Sequence, residues 1–166
     1  MPQFGWRARV PLKKGFDRTE VDMKLGNLLC EAKLTESDFQ SADLEVLRRY
    51  RDFEEVFDWQ ELPQQNGKVL YYQLIRNVLA AQARDCGFCV LLDARRPDLL
   101  ESWYTVMRHI RPMELRVRCK VLTWQELCPV LPDPLTEFLD AKYGIVAPGE
   151  TASEVTEVND FGEPVG

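Results

Sequence analysis

The sequence predicts a mixed α/β fold in which helices flank a mixed central sheet. The chain has 166 residues, of which 45% are hydrophobic and 29% are charged, an ordinary composition for one globular domain. Strand-length runs of β-branched and apolar residues alternate with segments whose apolar residues recur at helical spacing. One run, Phe88–Ala94, begins with five consecutive apolar residues, which is typical of a strand buried on both faces and therefore central in its sheet. This mixture of elements indicates layers of helices packed on a sheet.

The first part of the chain is predicted to form three strands. Runs with the composition of strands occupy Trp6–Pro11, Thr19–Leu25 and Asn27–Leu34. Gly26 lies between the last two runs, a spacing typical of a tight β-hairpin. We therefore expect a short strand followed by a hairpin.

Two helices are predicted to follow these strands. Over residues 43–59 the apolar residues recur at helical spacing, which predicts one helix with Ser41 as its cap. The sequence PQQNG at 63–67 is typical of a loop. The helical pattern resumes over Val69–Ala83 and is expected to end near Gly87.

The remaining elements alternate between helix and strand. A helix is predicted over Pro97–Ile110, because proline is tolerated at the first helical position. Leu115–Leu122 alternates apolar and polar residues, which predicts another strand. Thr123 and Glu126 form a capping-box pattern before a short helix, and Pro134–Tyr143 is predicted to be the last helix.

The net charge of -6 is unevenly distributed along the chain. Residues 1–19 hold five basic residues and one acidic residue, and residues 68–120 hold ten basic and five acidic residues. Residues 147–166 hold five acidic and no basic residues, so the rest of the chain carries only -1. We predict one folded domain over 1–146, followed by an acidic, disordered tail over 147–166. The acidic total therefore does not exclude nucleic acid as a partner.

The sequence pattern argues against a membrane or secreted protein. No apolar run approaches the roughly 20 residues that cross a bilayer, and the start lacks the apolar stretch of a secretory signal, so we expect a cytoplasmic protein. The five cysteines lie mostly in apolar runs, which favours reduced core thiols over disulfides. Cys86 and Cys89 have the spacing of half a zinc site, but no second pair matches it and His109 is the only histidine. We interpret these cysteines as core residues.

A candidate site lies in the predicted hairpin, in the stretch EVDMKLGNLLCEAK at 20–33. Side chains alternate along a strand, so Glu31 and Lys33 point to one face. If the hairpin register also places Asp22 on that face, two carboxylates and one ammonium converge on a small volume. Glu20 shares a face with Asp22 and is either a further ligand or exposed to solvent. The alternative for all of them is that they form only the solvated face of a hairpin.

The cluster has the chemistry of a site for a hard cation. Carboxylate oxygens, a backbone carbonyl and water suit Mg²⁺ or Mn²⁺ rather than a soft thiolate metal. The ion would lower the pKa of a bound water and neutralise charge that develops on a phosphorane-like transition state. Lys33 could orient the attacking water or stabilise the phosphoryl oxygens. The predicted substrate is therefore a phosphodiester.

The pattern resembles the PD-(D/E)XK nuclease superfamily. Glu20-Val21-Asp22 stands for the P-D element, with valine in place of proline, and Glu31-Ala32-Lys33 stands for (D/E)-X-K. From about Arg9 to Ile145 the chain is similar to a family of bacterial restriction endonucleases, and the similarity includes the blocks FDRTEVDMKLGNLLCEAKLTESDF, YYQLIRNVLAA, FCVLLDARRPDL and KVLTWQEL. The superfamily core begins with a helix, whereas this chain starts almost at its first strand.

The resemblance implies a restriction-endonuclease-like core that hydrolyses DNA with a divalent ion. Asp22 and Glu31 would be metal ligands, the carbonyl of Ala32 would be a third, and Lys33 would lie beside the scissile phosphate. These assignments follow from the family pattern and are expectations for this chain.

Other polar residues are candidates for the same site. Gln73 and Arg76 lie three apart on a predicted helix and hence on one face, and a helical polar residue often reaches the site in related nucleases. Gln73 either lies near the metal or caps the helix surface. Arg95 and Arg96 follow the buried strand, where guanidinium groups and helix amides could meet a phosphate. Their alternative role is in salt bridges, to Asp98 or to the acidic helix.

Two functions remain open at this level. The first is an Mg²⁺-dependent endonuclease acting on DNA, in defence against foreign DNA. The second is a catalytically inactive nuclease-like module that binds nucleic acid or a partner protein, which the acidic total charge and the missing first helix favour. Symmetric double-strand cutting would suggest a homodimer, but the sequence names no interface for it.

Overall fold

The computed structural model describes residues 1–18 and 20–152. The chain divides into two compact units, Met1–Leu122 and a second that starts at Thr123. The strands in the described residues are β1 (Gln3–Arg7), β2 (Val10–Pro11), β3 (Phe16–Asp17), β4 (Glu20–Leu25), β5 (Leu28–Ala32), β6 (Ser41–Asp43), β7 (Gln64–Gln65), β8 (Lys68–Leu70), β9 (Gly87–Leu92) and β10 (Cys119–Thr123). The helices are α1 (Leu44–Leu47), α2 (Phe53–Val56), α3 (Tyr72–Arg84), α4 (Pro97–Arg108), α5 (Met113–Arg118), α6 (Trp124–Leu127) and α7 (Asp133–Tyr143).

A five-stranded sheet forms the centre of the first unit, in the order β1-β4-β5-β9-β10. β4 pairs antiparallel with β1 and β5, whereas β5 pairs parallel with β9. The predicted mixed sheet is therefore confirmed. β9 lies between two other strands, and five of its six residues are buried, as the apolar run predicted, although the strand ends at Leu92, before the predicted Ala94.

Helices α3 and α4 cover this sheet. α3 contacts β5 and β9, and its Leu74, Ile75 and Val78 are fully buried. α4 contacts α3 and β9, where Trp103 packs edge-on against Phe88 at 5.3 Å between ring centroids. Removing each such side chain from water stabilises the fold by about 1.5–3 kcal/mol, so this face of the sheet is the centre of the core.

Several predicted elements are confirmed. The hairpin forms from β4 and β5, although Thr19, the predicted first residue of the first of these strands, lies outside the described residues. The predicted helix Pro97–Ile110 is α4, with proline at its start, and Pro134–Tyr143 is α7. Thr123 and Glu126 form the predicted capping box at the start of α6.

The single helix predicted over 43–59 is wrong. The structure has two one-turn helices, α1 and α2, and Ser41 lies in β6 rather than at a helix cap. Between them Tyr50 forms an isolated β-bridge with Leu12, and the N–H of Arg51 donates to the carbonyl of Pro11 at 3.1 Å. The backbone N–H and carbonyl groups that a continuous helix would have bonded internally are therefore bonded to the region of the β2–β3 turn instead.

The second predicted helix starts later than expected. Val69 belongs to β8, and the backbone turns at Tyr71, whose φ of 62° is left-handed, before α3 begins. The predicted loop at 63–67 is part of a hairpin between β7 and β8. Asn66 and Gly67 both have positive φ, 51° and 77°, as a type I′ turn requires.

Two further predicted strands differ from the structure. Leu115–Leu122 is divided between α5 and β10, and in α5 Leu115 is buried while Val117 is exposed. Trp6–Pro11 is interrupted at Arg9, whose left-handed φ of 51° separates β1 from β2. In both cases a short strand-like pattern in the sequence did not locate the change of backbone conformation.

The second unit is helical in its described part. α6 is followed by a 3₁₀ turn over Cys128–Val130 and by α7, which ends at Gly144 with a left-handed φ of 59°. The domain boundary at 146 stays a prediction, and most of the predicted disordered tail, 153–166, lies outside the described residues. Within the described residues no helix combines the length and the hydrophobicity needed to span a membrane.

Candidate active site

The β4–β5 hairpin positions the acidic residues. Its backbone pairs end with Met23 and Cys30, and the pair that would follow in this register is Asp22 with Glu31. Beyond the last backbone pair the two strands are joined by a side chain, because Oδ2 of Asp22 accepts a hydrogen bond from the N–H of Ala32 at 2.8 Å. The Asp22 carboxylate is thereby fixed at the carboxyl end of β5.

Glu31 is a buried carboxylate held by two side-chain amides. Its side chain is 1% exposed. Oε1 accepts from Nε2 of Gln73, and Oε2 accepts from Nδ2 of Asn77 at 2.7 Å. Gln73 and Asn77 are four apart on α3, so both amides project from one face of that helix towards β5.

Lys33 follows β5 and completes the cluster. Its Nζ donates to Oε1 of Gln73 at 2.9 Å and lies 3.5 Å from Oε1 of Glu31. The ammonium also lies 5.5 Å from the centre of the Phe39 ring, within cation–π range. Lys33 is 5% exposed, and its N–H extends the pairing with β9 by donating to the carbonyl of Leu91 at 2.8 Å.

The loop between Lys33 and β6 is fastened to the start of α3. The N–H of Tyr72 donates to the carbonyl of Gln40 at 3.1 Å, and the N–H of Gln73 donates to the carbonyl of Phe39 at 3.0 Å. These carbonyls satisfy two of the N–H groups that a helix start leaves without partners. Lys33 and Gln73 are therefore held together through the backbone as well as through their side chains.

The environment of Glu31 favours its protonated form. Burial is the main cause and the negative charge of Asp22 adds to it, and together they raise the pKa of Glu31 to about 7. Lys33, Arg76 and the hydrogen bond from Asn77 act in the opposite direction. Glu31 therefore exchanges its proton near neutral pH, where a cation would compete with that proton.

Arg76 is buried beside this cluster and ties α3 to β4. Its Nη2 donates to the carbonyl of Glu20 at 3.2 Å and to Oδ1 of Asn77 at 3.0 Å. The carboxylate of Glu20 does not join the cluster, because it forms an exposed ion pair with Arg7 at 2.8 Å. Of the two alternatives left open for Glu20, the structure has the exposed one.

The structure gives the two other predicted arginines protein partners. Arg95 pairs with the buried carboxylate of Asp93 at the end of β9. Arg96 pairs with Asp98 at 2.7 Å and donates to the carbonyls of the loop that follows Lys33. The salt-bridge alternative is therefore realised for both, and their binding of substrate stays a prediction.

Two residues of the cluster were not among the predicted site residues. Asn77 was noted only as adjacent to the face of Gln73 and Arg76, yet its spacing of four from Gln73 could have indicated a shared contact. Phe39 gave no signal, because it lies in the loop after Lys33. All five cysteines are buried free thiols, as their interpretation as core residues predicted.

The donor atoms fit a small divalent cation. Asp22 and Glu31 offer carboxylate oxygens, and the two amides occupy only part of the lone-pair capacity of Glu31. Within residues 1–18 and 20–152 no group of three or more histidine, cysteine or acidic side chains is arranged to hold a metal. A cation would therefore depend on these two carboxylates together with backbone and water oxygens, the ligands that Mg²⁺ accepts.

A mixed sheet with flanking helices is consistent with a restriction-endonuclease-like fold. Family comparison agrees, since the model of the family REase-ARP, described as Restriction Endonuclease associating with ARP, matches residues 1–144. The chain belongs to this family. Comparisons with curated proteins and with solved structures gave no match. The predicted membership of a restriction-endonuclease-like family is confirmed.

Proposed function

We propose that this chain is an endonuclease of the PD-(D/E)XK type that hydrolyses DNA phosphodiester bonds with Mg²⁺ or Mn²⁺, in restriction or defence against foreign DNA. The observation that carries the proposal is the meeting of Asp22, Glu31 and Lys33 at the end of the β4–β5 hairpin. The family membership supports DNA as the substrate.

Asp22 and Glu31, with the carbonyl of Ala32, would hold the divalent cation. A bound cation supplies a water of lowered pKa and positive charge beside the phosphoryl oxygens. Asp22 already has its orientation fixed by the N–H of Ala32. Glu31 offers the lone pairs that its two amide partners leave, and those amides prevent the carboxylate from rotating.

Lys33 would act on the substrate. Its ammonium is held between Gln73 and Glu31, at a point where it can donate to an oxygen of the scissile phosphate or to the attacking water. Gln73 is a positioning residue in this scheme, because its amide joins the lysine to the carboxylate. A buried lysine held in this way loses little side-chain freedom when substrate binds.

The experiment that tests the proposal is a cleavage assay on supercoiled, linear and single-stranded DNA with Mg²⁺ or Mn²⁺. Lys33→Ala and Asp22→Asn should each lower the rate at least ~100-fold, since each removes a group placed to act in the transition state. Glu20→Gln is the matched control, because Glu20 lies on the same strand as Asp22 but its carboxylate pairs with Arg7 outside the cluster.

The outcomes separate the two functions that the sequence left open. Metal-dependent cutting by the wild-type and Glu20→Gln proteins, without cutting by Lys33→Ala, supports the endonuclease. Binding of DNA by a folded wild-type protein that leaves all three substrates uncut would instead establish the inactive module. A homodimer stays a prediction, which sedimentation of the DNA complex would check.

A further inference from the structure

A groove on the first unit is lined by basic side chains, none of which belongs to the Glu31 cluster. The turn between β2 and β3 presents Lys13 and Lys14, and the N–H of Lys13 donates to the carbonyl of Arg49 at 2.8 Å. Arg48 and Arg49 follow α1 on the other side of the groove. Together with Leu12 and Glu45, these four basic residues line a cavity of about 430 Å³, which we call the Lys13 groove.

Three of the four cations in the Lys13 groove have no acidic partner in the described part of the chain. Lys13, Lys14 and Arg49 are exposed, and none of their charged groups lies within ion-pair distance of a carboxylate there. Arg48 differs, because it pairs with Glu45 at 3.0 Å and lies 4.6 Å from the centre of the Trp59 ring. The groove therefore carries a local excess of positive charge on a chain whose total charge is -6.

The groove is connected to the start of α3. Tyr50 follows Arg49, and its buried hydroxyl donates to Oδ2 of Asp17 at 2.7 Å and lies 3.0 Å from the hydroxyl of Tyr72. Burial and these two partners raise the pKa of Tyr50, so its hydroxyl stays protonated. Tyr72 is the first residue of α3, and the next residue, Gln73, contacts both Glu31 and Lys33.

The lining favours a chain-like polyanion over a single small anion. Lys13, Lys14 and Arg49 are exposed around an open groove, and among the groove-lining residues only Arg48 offers a buried nitrogen without a hydrogen-bond partner, whereas a site for a lone phosphate needs several such donors aimed at one point. Lysine and arginine heads spread in this way match the successive phosphates of a nucleic-acid backbone. An acidic protein also needs such a local surface, because its overall field repels DNA.

We propose that the Lys13 groove binds the phosphate backbone of duplex DNA beside the bond to be cut. This inference rests on the proposed function and deepens it, since it assigns the substrate a second contact surface at the same end of α3. Lys13, Lys14 and Arg49 neutralise backbone phosphates and read no base sequence. Their contribution is therefore independent of DNA sequence and decreases with salt.

The test compares two triple variants that lose the same charge. Lys13→Gln/Lys14→Gln/Arg49→Gln removes the three unpaired groove cations. Lys68→Gln/Arg108→Gln/Lys120→Gln removes three exposed cations that do not line the groove and that also lack a carboxylate partner among the described residues. Binding to a duplex is measured by fluorescence anisotropy in EDTA from 50 to 200 mM salt, so that no cutting occurs.

The groove variant should bind at least ~10-fold more weakly at 100 mM salt, and the slope of log K against log salt should decrease by about 2–3, since each phosphate contact contributes ~0.9. The control variant should lose less than half as much in both quantities. Equal losses of affinity in the two variants, with wild-type protein still binding and cutting DNA, overturn the proposal that the groove binds DNA and leave the proposed function intact. A folded wild-type protein that neither binds nor cuts DNA overturns both.

Discussion

Replacing Glu31 by Gln should change how the stability of the protein depends on pH. The pKa of Glu31 is about 7 in the folded protein, whereas in the unfolded chain the carboxyl has the ordinary value of 4.5. The folded state therefore binds the proton more tightly, so the carboxyl stabilises the fold most below pH 4.5. That stabilisation is lost as pH rises towards 7, and little further change follows above it. Glutamine does not titrate, so its variant lacks this component.

The size of the effect follows from the difference between the two pKa values. Each unit corresponds to about 1.4 kcal/mol, so the full loss is about 3 kcal/mol, of which about 2–3 kcal/mol falls between pH 5 and pH 8. The free energy of unfolding of wild-type protein, relative to that of Glu31→Gln, should decrease by this amount over the interval. Urea unfolding followed by tryptophan fluorescence in EDTA measures it at each pH.

The effect of Glu31 ionisation is separated from other effects of the substitution by its dependence on pH. Differences in hydrogen bonding between Glu31 and its replacement shift the curve at every pH alike, so only the pH dependence is diagnostic. Parallel curves for the two proteins would show that Glu31 has an ordinary pKa and that the reasoning from burial is wrong. Excess Mg²⁺ should flatten the wild-type curve if the proposed cation site exists, because the ion favours the ionised carboxylate.

Three further predictions concern the packing around the site and the hairpin turns. Asn77→Ala removes the buried donor to Glu31 and the buried acceptor for Arg76, so the free energy of unfolding measured in urea should decrease by about 2–4 kcal/mol. The control Gln82→Ala, on the same helix, should decrease it by less than ~1 kcal/mol. Trp103 is fully buried and its Nε1 has no hydrogen-bond partner in the described part of the chain, so Trp103→Phe should cost less than ~1.5 kcal/mol, whereas Trp103→Ala should cost about 3–5 kcal/mol. Gly67→Ala should lower the free energy of unfolding by about 1–2 kcal/mol because φ there is 77°, and a cost near zero would contradict the turn assignment.

The elements that the sequence predicted well are those whose pattern has a single structural explanation. Phe88–Ala94 has the apolar content and the length of a buried strand, and proline at the start of α4 suits the first position of a helix. The region 43–59 failed because its apolar spacing satisfies a helix as well as two short turns. The choice was made by the backbone of the β2–β3 turn, which is distant in sequence and pairs with residues 49–51.

The candidate site shows the same division between local and tertiary information. Asp22, Glu31 and Lys33 could be selected because alternation along a strand and the hairpin turn are local properties. The contact of Gln73 with Glu31 depends on how α3 is rotated on the sheet, which no local pattern specifies. The same rotation brings Asn77 to the second carboxylate oxygen, so the amide pair emerges only from helix packing.

The fastening of the loop after Lys33 has a consequence for engineering the protein. Lys33 is anchored to β9 and Phe39 to α3, and Arg96 holds the carbonyls of Glu36 and Ser37 between them, so the length of the segment 34–38 does not set the separation of Lys33 and Gln73. Doubling a flexible loop costs only about 0.6 kcal/mol in closure entropy. A peptide tag or a fluorescent label inserted within 34–38 would therefore sit next to the site while the spacing of its side chains is preserved.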